Sequence, residues 1–333
     1  MMVDLFKVEM MVDLFKVDTP RRAVLAGIAA FAAMPVLAAA PLKVIATTGM
    51  IADMVRQIGG EAVVVRGLMG AGIDPHSYRQ TRSDIVAMTR ADVTFWHGLY
   101  LEAQMEEFLA DLDRKRSVYA VADNLDPAQL ITHADYDDSF DPHVWMDPVI
   151  WAQCTSIVVD ELTNLYPEMR SLFEENASTF VQEAVALDAY SRDTLMKVPP
   201  KSRILMTAHD AFGYFGKAYN FDVLGIQGIS TESEAGLNRI SELVDILVDR
   251  KVPAVFVETS VSDRNIRALI EGAAAQGHDV SIGGTLFSDA MGVDGTYEGT
   301  WLGMIDHNVT TIARALGADV TARGRLGKLA GAA

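Results

Sequence analysis

A single cysteine, Cys154, in a chain of 333 residues excludes an intrachain disulfide and any metal centre built from several thiolates. Positive charge is also scarce: 28 Lys and Arg stand against 45 Asp and Glu, a formal net charge of −17. Binding a phosphate backbone calls for the opposite balance, so nucleic acid is excluded as a partner. No CxxC, HExxH or HxH occurs, so the local signatures of zinc ribbons and metal hydrolases are missing. What is present is a chain half hydrophobic and punctuated by 25 glycines, which argues against wholesale disorder and suits two domains of ordinary size.

Residues 1–40 read as a targeting segment. Arg21 and Arg22 precede an uncharged, Ala-rich run from Ala23 to Ala40, and small residues at Ala38, Ala39 and Ala40 offer cleavage points. The run is weakly hydrophobic, which favours a cleaved signal over a membrane anchor. No cysteine lies near that point, so the expectation is an exported periplasmic protein that is not a lipoprotein. MVDLFKV occurs at 2–8 and again at 11–17, which points to Met11 as the start. Acidic and basic residues cancel within 1–40, so the whole charge of −17 belongs to residues 41–333.

After Ala40, short apolar runs alternate with helical stretches. KVIATT at 43–48, Ala62–Leu68, Asp92–Trp96 and Ser117–Val121 read as strands, with helices between them. This rhythm predicts mainly parallel sheets covered by helices. It repeats beyond residue 199. Between the two stretches lies a segment without glycine or internal proline, opened by Pro167 and followed by Pro199 and Pro200, which predicts one long helix. The expected organisation is a signal at 1–40, an N-terminal α/β lobe at 41–166, a linking helix at 167–198 and a C-terminal α/β lobe at 199–333.

Seven histidines carry the candidate chemistry. His76, in GIDPHSY, follows a strand; His143, in DPHVW, ends a loop; His209, in TAHDAF, lies where a strand gives way to a helix. Asp289, in LFSDAMG, is again in a loop after a strand. Open α/β sheets place ligands at such strand ends, and neutral imidazole is the commonest protein metal ligand. His97 and His307 read as packed, His133 as part of an acidic loop, His278 as exposed and Cys154 as core. Glu258, ending a strand, is a candidate to orient a ligand histidine from behind. The methionines are scattered, not clustered as a soft copper site requires.

From about Leu42 to Leu316 the sequence resembles the zinc/manganese solute-binding proteins of ABC importers, the TroA-like family. The matching segments are IDPHSY (73–78), FDPHVWMDP (140–148), TAHDAFGYF (207–215), GISTESEAG (228–236) and GGTLFSDAMG (283–292), in the family's order. The resemblance implies two α/β lobes joined by one rigid helix. It implies one divalent ion, Mn2+ or Zn2+, held between the lobes by His76, His143, His209 and Asp289. It further implies a monomeric receptor that passes the ion to an ABC permease driven by a cytosolic ATPase, with no chemical turnover.

The two ions are weighed against each other by ligand type. Imidazole suits zinc, and manganese prefers more oxygen. Several manganese-binding members of the resembled family carry Glu where this chain has His209. Members dedicated to zinc carry a long His-rich loop, whereas residues 123–142 here hold only His133. The expectation leans slightly to manganese as the transported ion. Because histidine must lose its proton to bind, affinity is expected to fall below about pH 6. The rival reading is a secreted metal-dependent hydrolase using the same residues, with Asp210 or Glu258 as base.

Overall fold

The computed structural model describes residues 40–132, 139–233 and 235–330. The expected signal segment up to residue 39 and His133 lie outside the described residues.

β-Branched and apolar runs form the first sheet. Leu42–Ala46 (β1), Val63–Gly67 (β2), Val93–Trp96 (β3) and Val118–Ala120 (β4) pair in the order β2-β1-β3-β4. Every pair is parallel, with Val44 opposite both Val65 and Val93. Helices α1 (Gly49–Gly59), α2 (Arg82–Arg90) and α3 (Glu106–Asp113) alternate with these strands. Local chemistry sets their starts: the Thr48 hydroxyl faces the Ile51 N–H, and Thr81 and Asp84 form a reciprocal capping box.

Two helices follow the long connection after β4: α4 (Pro148–Trp151), capped by Asp147, and α5 (Thr155–Leu165). The long helix α6 is Arg170–Leu195, 26 residues or about 39 Å. It is shorter than the sequence predicts because Pro167–Met169 forms a separate 3-10 turn. Phe173, Ala177, Phe180, Ala184, Leu187 and Ser191 recur at helical spacing and are buried. Helices α1, α4 and α5 from before it pack on α6. So do α7 (Gly213–Tyr219) and α10 (Trp301–Ala315) from after it.

The second half contains β5 (Ile204–Thr207) paired with β6 (Asp222–Gly225), and β7 (Ala254–Glu258) paired with β8 (Ser281–Leu286), both pairs parallel. β5 lies beside β7, and α8 (Leu237–Asp249) packs against α9 (Arg264–Ala275). The fold is thus α/β, with parallel sheets on either side of one long helix. The largest core cluster draws on both halves: Val44, Phe95 and Trp145 share it with Phe212, Phe256 and Trp301. Cys154 sits in this core, 1% exposed, and burial pushes its thiol pKa up.

β8 continues through two adjacent glycines to Leu286. Ile282 pairs with Val255 and Gly284 with Phe256, so Gly283 is the extra residue of a bulge in the ladder. A Cβ on Gly283 would lie 2.8 Å from Ala315 Cβ and 2.9 Å from Phe256 Cε1. The glycine is there because α10 crosses the strand closely. Among the described residues no helix is long and apolar enough to cross a membrane.

Candidate metal centre

Four connections that follow strands converge. The turn carrying His76 follows β2, His143 comes on the long connection after β4, His209 lies just beyond β5, and Asp289 just beyond β8. All four side chains are buried, and one potential ligand atom from each lies within 4.8 Å of the others. His76 Nε2 is 3.3 Å from His143 Nε2. Asp289 stands between two imidazoles, its Oδ1 3.2 Å from His143 Nε2 and its Oδ2 3.1 Å from His209 Nε2. Among the described residues, the buried Asp289 Oδ1 and His209 Nε2 have no properly aligned hydrogen-bond partner. A divalent cation among them would satisfy both.

Carboxylates stand behind the histidines. Asp141 Oδ1 lies 2.7 Å from His143 Nδ1 and also accepts the His143 backbone N–H at 2.9 Å. Glu258 Oε1 accepts the His209 backbone N–H at 3.0 Å. Its Oε2 is 2.6 Å from His209 Nδ1, an electrostatic contact out of line for a hydrogen bond. Asp74 Oδ1 accepts the His76 backbone N–H at 2.9 Å. In both contacts with a ring Nδ1, the carboxylate leaves Nε2 directed at the site.

These surroundings set the protonation. At His76 burial prevails and lowers the pKa to about 4. At His143 burial also pulls downward, but Asp141 and Asp289 together outweigh it and lift the value to about 9. At His209 Glu258 and Asp289 overcome burial in the same way and hold the pKa well above the usual imidazole range. Burial would raise the Asp289 pKa, yet His209 and His143 keep it well below the usual carboxylate range.

Trp145 joins the loops that carry His143 and Asp289. Its ring stands edge-on to His143, centroids 5.2 Å apart, and its Nε1–H donates to the Ser288 carbonyl at 2.9 Å. The Trp145 carbonyl in turn accepts from Trp301 Nε1–H at 3.1 Å, and Trp301 stacks on Phe180 of α6. An aromatic brace therefore runs from two of the four candidate ligands to the long helix.

His97 is fully buried, and its Nε2 bonds the Pro142 carbonyl at 2.6 Å. It packs as expected, but directly against the residue before His143. His307 Nε2 bonds the Thr285 carbonyl. His278 is half-buried, not exposed, because its Nε2 bonds the Val252 carbonyl. Sequence reasoning missed Asp141 and Trp145 in their supporting places. The signal was available in the spacing: Asp141 and Trp145 flank His143 at two residues on each side.

Glu102 supports His97. Its Oε1 accepts from Thr47 Oγ1 at 2.6 Å and from the His97 backbone N–H at 2.8 Å, while Oε2 has no hydrogen-bond partner among the described residues. Burial lifts its pKa from 4.5 to about 7, against the lowering effect of those two bonds. The folded protein therefore holds this proton more tightly than the unfolded chain. The associated stability is fully present below the unfolded value and lost as pH rises to about 7. The expected loss from this group is about 3 kcal/mol. Glu102→Gln, which cannot ionise, should flatten that window in urea melts of the metal-free protein at pH 5 and 8. An unchanged pH dependence would remove Glu102 as its source.

A family model described as zinc-uptake complex component A, periplasmic (ZnuA), matches residues 44–315. The chain belongs to the ZnuA family. The manganese-binding lipoprotein MntA of Bacillus subtilis is 44% identical over 275 residues, covering 83% of this chain and 90% of that protein. The zinc-binding protein TroA of Treponema pallidum is 43% identical over 273 residues, covering 82% and 88%. The solved structure of that periplasmic zinc-binding TroA superposes with a TM-score of 0.81 at 42% identity, covering 83% of this chain and 99% of the other. The metal ABC transporter substrate-binding lipoprotein SsaB of Streptococcus sanguinis is 28% identical over 284 residues, covering 83% and 89%.

These relatives correct one expectation. MntA and SsaB are named as lipoproteins, so the reading of this ZnuA-family chain as a periplasmic protein that is not a lipoprotein does not stand. That reading rested on the lack of a cysteine beside residues 38–40, in a segment largely outside the described residues. The hydrolase reading gains no support from any of these relatives.

Proposed function

We propose that this chain is the receptor of an ABC metal importer: it captures one divalent ion, manganese or zinc, and delivers it to a membrane permease driven by a cytosolic ATPase. His76, His143, His209 and Asp289 would supply the ligands, with Asp141 and Glu258 orienting His143 and His209. The observation that carries this reading is the buried cluster itself, three imidazoles and one carboxylate from four separate connections, with their ligand atoms within 4.8 Å. Deprotonated imidazoles with one carboxylate leave a net charge near +1 around a divalent ion, and four protein donors resemble a holding site more than an open catalytic one. The lobes would be residues 41–166 and 199–333, with 167–198 between them, and the receptor a monomer.

Manganese is the favoured cargo, in keeping with the likeness to the Bacillus protein, and zinc should bind as well. The usual affinity order places zinc above manganese at any such site, so cargo identity depends on availability. Elemental analysis of the protein purified from its own host, followed by competition between the two ions, tests this. One equivalent of metal, removable by a chelator without unfolding, is the expected result. A purified protein that neither carries nor takes up either ion would overturn the proposal.

A further inference from the structure

GISTESEAG is the one segment of the resemblance that supplies no candidate ligand. Its Thr231 and Glu232 nevertheless touch the other half of the molecule. Thr231 Oγ1 donates to Asp74 Oδ2 at 2.7 Å, across 157 residues of sequence. Gln104 Nε2 donates to the Glu232 carboxylate. Asp74 is already committed to the metal centre: its Oδ1 holds the His76 backbone N–H, and its Oδ2 also accepts the Ser77 hydroxyl at 2.8 Å. At its own root this strap is tied beside His209. The Gly228 carbonyl accepts the Asp210 N–H at 3.3 Å, and Gln227 Nε2 donates to the Ser233 carbonyl at 3.1 Å. The strap therefore runs from the neighbour of one candidate ligand to the residue that fixes another.

We propose that Thr231 and Asp74 form a latch that holds the His76 turn against the second half of the molecule and so slows metal release. Both are positioning residues; they act through His76 and do not touch the ion. The inference rests on the metal-receptor reading. Asp74 and Thr231 are half-buried, so the bond can break without unfolding the core. The bond must open before the turn can swing away from the ion, but it can form after the ion has been captured. Its loss should therefore appear in the dissociation rate rather than the association rate.

The test is stopped-flow release of bound Mn2+ and of bound Zn2+ into excess chelator. Thr231→Val keeps the side-chain shape and removes the hydroxyl, and should release both ions about tenfold faster with association unchanged. Thr231→Ser restores the donor and should release at the wild-type rate, a rescue that a merely structural role would not show. The melting temperature of the metal-free protein should be the same in all three. Wild-type release by Thr231→Val, or equal acceleration by Thr231→Ser, would overturn the latch while leaving the receptor reading intact. A wild-type protein that binds neither ion would overturn both.

Discussion

Asp289→Asn should weaken manganese binding by more than ~100-fold, beyond what loss of a residue behind a ligand usually costs. The amide keeps the shape of the carboxylate and removes its charge. Asp289 is the only carboxylate in the cluster of four candidate ligands, so the substitution leaves three neutral imidazoles around a dication. Manganese depends more on anionic oxygen than zinc does, so zinc should lose less. Calorimetric titration of both ions into wild type and variant gives the comparison. Wild-type affinity for both ions in Asp289→Asn would remove this residue from the site.

The second large effect is on protons. In the metal-free protein at neutral pH, His143 is protonated, since its pKa is raised to about 9, and so is His209, raised well above the usual range. His76, lowered to about 4, is already neutral. An ion taken up by the four candidate ligands would therefore displace two protons, and apparent affinity should drop ~100-fold from pH 7 to pH 6. Its rise should continue toward pH 9 instead of levelling off near an ordinary histidine pKa. This moves the steep window above the pH 6 edge that unperturbed histidines imply. Titrations in buffers of different ionisation enthalpy count the protons; release of fewer than one at pH 7 would refute the doubly charged pair.

The strands and the loops that carry the candidate ligands were legible because each rests on a local signal. KVIATT is apolar and β-branched, and His76, His209 and Asp289 each follow such a run closely. What was hidden depends on contacts between distant segments. Glu258 stands out at a strand end, but nothing local indicates that the histidine it meets is His209, 49 residues away, or that Trp145 bonds Ser288 across 143. The glycine at the β8 bulge, Gly283, likewise answers to a distant contact, the close approach of Ala315 on α10. His97 reads as a packing residue, and only the fold places its bond on the carbonyl before His143. The expectation that the chain is not a lipoprotein fails for a different reason: it rested on a missing cysteine, and relatives named as lipoproteins overturn it.

Cys154 has a practical consequence. The only thiol in the chain is enclosed in the core with its ionisation suppressed, so thiol-directed dyes and spin labels have no accessible native target. A pair of cysteines introduced on the surface, one in each half of the molecule, could be labelled without first removing Cys154. Distances between such labels would then follow opening and closing in an otherwise unaltered protein.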